Sequence, residues 1–179
     1  MNYISILRGI NVCGQKKIKM ADLKSLYENL GLEAVTPYIQ SGNVLFDSEN
    51  KTVDELKSII EDAIHERYDY DVPVDIRTKD EYQEIVNRCP YEEAKLAENA
   101  TKVLVSFLSE EPTVDKKREL EGLAQFPEKL KIEARVVYLY CPNGYGRSKL
   151  SNAFIESKLG VVSTTRNWKT VRKLVELSQ

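Results

Sequence analysis

Histidine occurs once in the chain, at position 65, and that scarcity removes more chemistry than any other feature of the composition. A Ser-His-Asp or Cys-His nucleophile system needs an imidazole beside its nucleophile. On its expected helix His65 falls off the face set by Leu56, Ile60 and Ala63, so it points to solvent and such a system has no base. A single imidazole also excludes histidine-rich metal centres. Cys13, Cys89 and Cys141 are odd in number and far apart, which indicates neither a disulfide framework nor a CxxC knuckle. A reducing cytoplasm is the expected compartment. No stretch approaches the roughly 20 apolar residues of a membrane span, and Met1-Asn2-Tyr3-Ile4 lacks the basic start and apolar core of a signal peptide. The glycine patterns of nucleotide sites are missing too. GxGxxG is absent, and Gly144-x-Gly146-Arg147-Ser148 is too short for GxxxxGK(S/T). No cofactor and no metal is expected.

What is present fits an ordinary water-soluble chain: 179 residues, 42% hydrophobic and 30% charged. Net charge is only −2, yet it is unevenly spread. Residues 1–77 and 78–134 each carry −4, and residues 135–179 carry +6. A second basic concentration lies within the acidic first segment, where Arg8, Lys16, Lys17, Lys19 and Lys24 face only Asp22. Two local positive regions on an acidic protein suggest an anion site rather than general nucleic-acid affinity.

Hydrophobic spacing gives the order of elements. Tyr3 to Val12 reads as a strand, Met20 to Leu30 as a helix stopped by Gly31, and Tyr38 to Phe46 as a hairpin. The hairpin turns at Ser41-Gly42-Asn43, with Gly42 and Asn43 expected to take the positive φ of a tight turn. Thr52-Val53-Asp54-Glu55 is a capping box opening a second helix, and Val72 to Arg77 a fourth strand. A second box, Thr78 to Glu81, starts a connecting helix that Pro90 ends. The pattern then returns: strand 102–108, a helix from Thr113 to about Phe126, strands 130–134 and 136–141, a helix 148–159, a strand 161–165 and a last helix from Asn167. The expectation is an α+β protein of two ferredoxin-like βαββαβ units in tandem, at 1–77 and 101–179, joined by a helical connection at 78–100 and closed by a C-terminal helix. The repeat is one of element order, not of residue identity.

That topology gathers polar loops. The loop holding Arg8, Asn11 and Lys17 should lie beside Gln40, Ser41 and Asn43 in the first unit. In the second, Arg147, Ser148 and Lys149 should lie beside Arg166, Asn167 and Trp168. Three of these four segments touch a helix N-terminus, where free amides and the helix dipole attract anions. The same residues also admit a purely structural reading: Ser148 and Asn167 as N-caps, the glycines as turns, the arginines as solvated or paired. Lys17 in particular suits plain exposure to solvent.

Four ordered stretches carry a likeness: Leu7-Arg8-Gly9-Ile10-Asn11-Val12, Met20-Ala21-Asp22-Leu23, Tyr38 through Val44, and Arg166 through Leu174. Together they resemble the bacterial family known as domain of unknown function 1697. The resemblance implies two ferredoxin-like halves and no assigned activity. Cys13 stands where that family usually has a glycine.

Three functions stay open. The first is a binding or regulatory module for a small, phosphate-bearing anion. The second is single-stranded RNA binding through Tyr138 and Tyr140, which share a face of one strand but better suit packing against the other unit's sheet or the last helix. The third is a phosphoryl or nucleotidyl transfer enzyme using Arg8, Lys17 or Arg166 to stabilise charge, for which no base or metal cluster is evident. Asp47 and Glu49 follow the hairpin as candidate acids that also suit simple solvation. Oligomeric state is not legible.

Overall fold

The computed structural model describes residues 1–179. The chain divides into two compact units, Met1–Gln83 with Leu174–Gln179, and Glu84–Lys173. The first repeat of strands and helices is β1 (Asn2–Leu7), α1 (Met20–Asn29), β2 (Glu33–Tyr38), β3 (Asn43–Asp47), α2 (Val53–Tyr68) and β4 (Val74–Thr78). After α3 (Lys79–Asn87) comes the second: β5 (Val103–Leu108), α4 (Val114–Gly122), β6 (Lys129–Glu133), β7 (Val136–Tyr140), α5 (Asn152–Leu159) and β8 (Ser163–Asn167). Helix α6 (Trp168–Leu177) ends the chain. No helix is long and apolar enough to cross a membrane.

The first sheet has the order β2-β3-β1-β4, every neighbour antiparallel. Alternate residues of its strands, among them Tyr3, Leu7, Val44, Phe46, Val74 and Ile76, form one core with Leu23 and Tyr27 of α1 and Leu56, Ile60 and Ile64 of α2. Tyr27 meets Phe46 edge-on at 5.5 Å, and Tyr3 stacks on the same ring at 5.6 Å. The Ser5 hydroxyl donates to the Val44 carbonyl at 3.2 Å, so it accepts from the Tyr27 hydroxyl at 2.9 Å. Burial pushes that phenol well above its ordinary pKa. The Thr52–Glu55 box forms as expected: Thr52 Oγ1 accepts from the Glu55 amide, and the Glu55 carboxylate accepts from the Thr52 amide at 2.7 Å.

The second sheet repeats the topology as β6-β7-β5-β8, again antiparallel throughout. Leu104, Leu108, Val137 and Leu139 pack on Leu120 of α4 and on Ile155 and Leu159 of α5. Within this unit Ser106, Ser163 and Thr165 are satisfied internally. Ser106 and Thr165 share a hydrogen bond of 2.6 Å, and both Thr165 and Ser163 donate to Asn152 Oδ1.

Several boundaries move. Strand β1 stops at Leu7, not Val12, because the chain turns left-handed at Gly9 and again at Asn11. Helix α4 ends at Gly122, where the Leu123 amide turns back to the Leu120 carbonyl at 3.1 Å. Helix α5 starts after Ser151, which accepts from the Phe154 amide at 3.3 Å. Ser148 instead accepts from the Leu150 amide at 3.0 Å, a local turn that keeps the chain extended there.

Candidate functional site

Between β1 and α1 the chain folds back on itself. Five residues between Gly9 and Lys16 have positive φ: Gly9, Asn11, Cys13, Gly14 and Lys16. Val12 bridges Gln15, and the Gln15 amide donates to the Val12 carbonyl at 2.9 Å. Cys13 (φ 48°) and Gly14 (φ 77°) therefore form the centre of a type I′ turn, which requires positive φ at both positions. Cys13 thus holds a backbone conformation that glycine adopts more readily.

Asn11 fastens this small hairpin to its surroundings. Its carbonyl oxygen accepts from the Ile18 amide at 2.9 Å, and its amide donates to the carbonyls of Ile18 (2.9 Å) and Gln40 (2.8 Å). The loop of Arg8, Asn11 and Lys17 and the turn holding Gln40 and Ser41 thus meet at one end of the sheet. The turn itself differs from expectation: Ile39 (φ 52°) and Gly42 take the positive φ, and Asn43 opens β3. Asn43 is fully buried, donating to the Tyr38 carbonyl at 2.9 Å and to Ser41 Oγ at 3.1 Å. A Cβ on Gly42 would lie 2.6 Å from Ile10 Cδ1. The side chains of Asn11 and Asn43 are therefore spent on shape. What this end offers a solute is cationic: Lys17 and Lys19 are exposed and make no ion pair, and Lys16 donates to the Asp71 carbonyl. The Arg8 amide bonds the Pro73 carbonyl at 2.9 Å.

The helix starts differ from one another. Helices α2, α4 and α5 begin at Thr52, Thr113 and Ser151, each accepting from an amide of its first turn. Helix α1 begins at Lys19, with no side-chain cap. The amides of Met20, Ala21 and Asp22 find no acceptor in the chain. Asp22 supplies one carboxylate in that turn, 3.9 Å from Arg67. Lys19 belongs to the basic concentration of the first segment but not to the candidate site residues, although a lysine immediately before the first apolar helical position is a readable signal.

The second unit's cluster lies at the other, non-equivalent end of its sheet, where β5 begins and β7 and β8 finish. The Cys141 amide donates to the Lys102 carbonyl at 2.8 Å and the Lys169 amide to the Ala100 carbonyl at 2.9 Å. Tyr145 approaches Thr165 hydroxyl to hydroxyl at 3.5 Å. This draws the loop of Arg147, Ser148 and Lys149 to the exit of β8, where Arg166 Nη1 donates to the Thr165 carbonyl at 3.0 Å. Asn167 is the N-cap of α6, its Oδ1 accepting from the Thr170 amide at 2.9 Å. Two amides of the first turn of α6 are thereby used. Trp168 is buried at 4% exposure, which removes its indole from contact with solutes. Burial raises the Cys141 thiol pKa, partly opposed by its hydrogen bond with Ser148.

Tyr138, which the RNA reading would use for stacking and the packing reading would bury, is 1% exposed. Its hydroxyl donates to the Ile85 carbonyl at 3.0 Å, and the Tyr91 hydroxyl donates to the Tyr138 carbonyl at 3.2 Å. Tyr140 is half-buried beneath Lys129 Nζ, 5.4 Å from its ring centre. His65 is exposed, its Nδ1 3.2 Å from Asp71 Oδ1.

Comparisons with known proteins bear on this geometry. No curated protein matches the chain. A conserved bacterial protein from Streptococcus pneumoniae has a similar solved structure, with a TM-score of 0.76 over 99% of this chain and 98% of that one at 21% identity. That likeness is one of fold. The sequence model of a family described as "Protein of unknown function (DUF1697)" matches residues 1–138. Three of the four stretches noted above lie within that match, and Arg166 through Leu174 lies beyond it. Matched over most of its length, the chain belongs to the family of unknown function DUF1697.

Proposed function

We propose that the protein is a binding or regulatory module for a small phosphate-bearing anion, seated at the start of α1. The single observation carrying this reading is the uncapped helix. Three amides lack an acceptor at α1, whereas each of the five other α-helices has a capping side-chain oxygen at its start, and lysines stand in and before the position an anion would fill. An anion there gains about 0.3–1 kcal/mol from the helix terminus at an exposed site, and up to about 2 kcal/mol where partly buried. Left-handed residues cluster where function demands a fixed backbone, and the Asn11 clamp holds this loop rigid at modest cost. The strand orders β2-β3-β1-β4 and β6-β7-β5-β8 support reading each unit as ferredoxin-like, and their repetition supports an internal duplication. A cytoplasmic setting accords with three free cysteines.

The end of the second unit suits a small anion less well, because α6 has a cap and its Lys169 amide is engaged. An amide-resolved NMR titration with inorganic phosphate and with nucleotides tests the proposal. Met20, Ala21 and Asp22 amides should shift with the ligand, and Lys17→Ala should weaken the response several-fold. Shifts confined to other residues would contradict it.

A further inference from the structure

One end of the second unit's sheet combines two features that neither the core nor the anion site accounts for. The first is unpaired charge. Six cations elsewhere in this unit have acidic partners: Arg88, Lys95, Lys117, Lys129, Lys131 and Lys158 each stand 2.5–3.4 Å from a glutamate, whereas Arg118 on α4 and Arg172 on α6 are exposed and stand in no ion pair. Lys102, Arg147, Lys149 and Lys169 have none, and backbone hydrogen bonds bring their segments to the same end. Against them stand Glu98, on the turn before Lys102, and Glu128, near enough to act on Cys141. The surplus is positive.

The second feature is Phe126, which is 97% exposed. Its loop leads into β6, whose first residue, Lys129, pairs with Tyr140 at the finish of β7. The ring therefore belongs to the same sheet end as the cations, toward the β6 edge, while Lys169 follows β8 at the opposite edge. One exposed ring is unremarkable alone. Beside four unpaired cations it matches the way single strands are held, with bases stacked on aromatic faces and phosphates on lysine and arginine. Four strands at roughly 4.8 Å spacing make a sheet end about 15 Å across, room for a few nucleotides. A membrane surface fits worse. It calls for a continuous apolar helix face, whereas these cations come from separate loops and the apolar contribution is mainly one ring.

We propose that this end of the second unit binds single-stranded nucleic acid, with Lys102, Arg147, Lys149 and Lys169 on phosphates and Phe126 stacked on a base. The reading is independent of the α1 anion site and does not use Tyr138. The test is fluorescence anisotropy of a labelled mixed-sequence oligoribonucleotide with the full chain, across about 50–200 mM salt. The expected slope of log affinity against log salt is about −3, near −0.7 for each of four phosphates. Arg147→Glu and Lys149→Glu should each flatten the slope by about 0.7, and Phe126→Ala should cut affinity about tenfold or more with the slope unchanged. Lys158→Gln, in the last turn of α5 at the opposite end of the same sheet, should leave binding unaltered. Thermal midpoints like that of the wild type show that the variants are folded. Absence of binding at low salt, equal binding by the Arg147→Glu, Lys149→Glu and Phe126→Ala variants, or equal affinity for duplex would overturn the proposal. So would stronger attachment to phosphatidylserine vesicles than to the oligonucleotide.

Discussion

Cys13 occupies the first central position of a type I′ turn, where an L-residue is strained by roughly 1–2 kcal/mol and asparagine tolerates the backbone best. Cys13→Asn should raise stability by roughly 1 kcal/mol in urea unfolding, and Cys13→Val should lower it. Gly42 is the opposite case. Gly42→Ala places a methyl against Ile10 and Leu7 on a backbone at φ 77°, so a loss of about 2 kcal/mol or more is expected. Tyr27→Phe removes one hydrogen bond but leaves Ser5 bonded to the Val44 carbonyl, and should cost only about 0.5–1.5 kcal/mol.

Among the elements, α2 offers a pH test. The Thr52 amide and hydroxyl hold the Glu55 carboxyl below its ordinary pKa. The folded chain thus releases this proton more readily than the unfolded one. The box is fully stabilising above the usual glutamate range and fades as pH falls through the lowered value. The difference in thermal midpoint between wild type and Glu55→Ala should be clear at neutral pH and should shrink in acid. A difference unchanged by pH would assign Glu55 a packing role only. The two capping boxes were legible because Thr and Glu at this spacing have a local job that tertiary structure seldom overrides. The segments from Leu7 to Lys19 and from Cys141 to Ser151 were not. Their backbones follow from the Asn11 clamp and the Ser148 turn, contacts that hydrophobic spacing does not encode.

For the molecule as a whole, strand order followed from the order of elements, since a βαββαβ chain with short connections has few ways to pair its strands. The candidate site was only half visible. Topology brought the Arg8–Lys19 loop to the hairpin turn, but Asn11 and Asn43 proved to be fasteners and Trp168 part of the interior. Polar residue type alone does not reveal whether its hydrogen bonds go inward or outward. The missing cap at Lys19 moves the proposed anion site from those side chains to three backbone amides.

A serine at that position would supply the oxygen that the anion is proposed to supply. The decisive comparison is therefore the thermal midpoint of wild type and Lys19→Ser as inorganic phosphate is raised. Phosphate at about tenfold above its dissociation constant adds about 1.4 kcal/mol, or about 3–6 °C for a chain of this size. The account predicts that rise in the wild type. In Lys19→Ser it predicts a midpoint already higher without phosphate, by about 0.5–2 kcal/mol of stability, and little further response. Equal phosphate responses in both proteins, or none in the wild type, would contradict it.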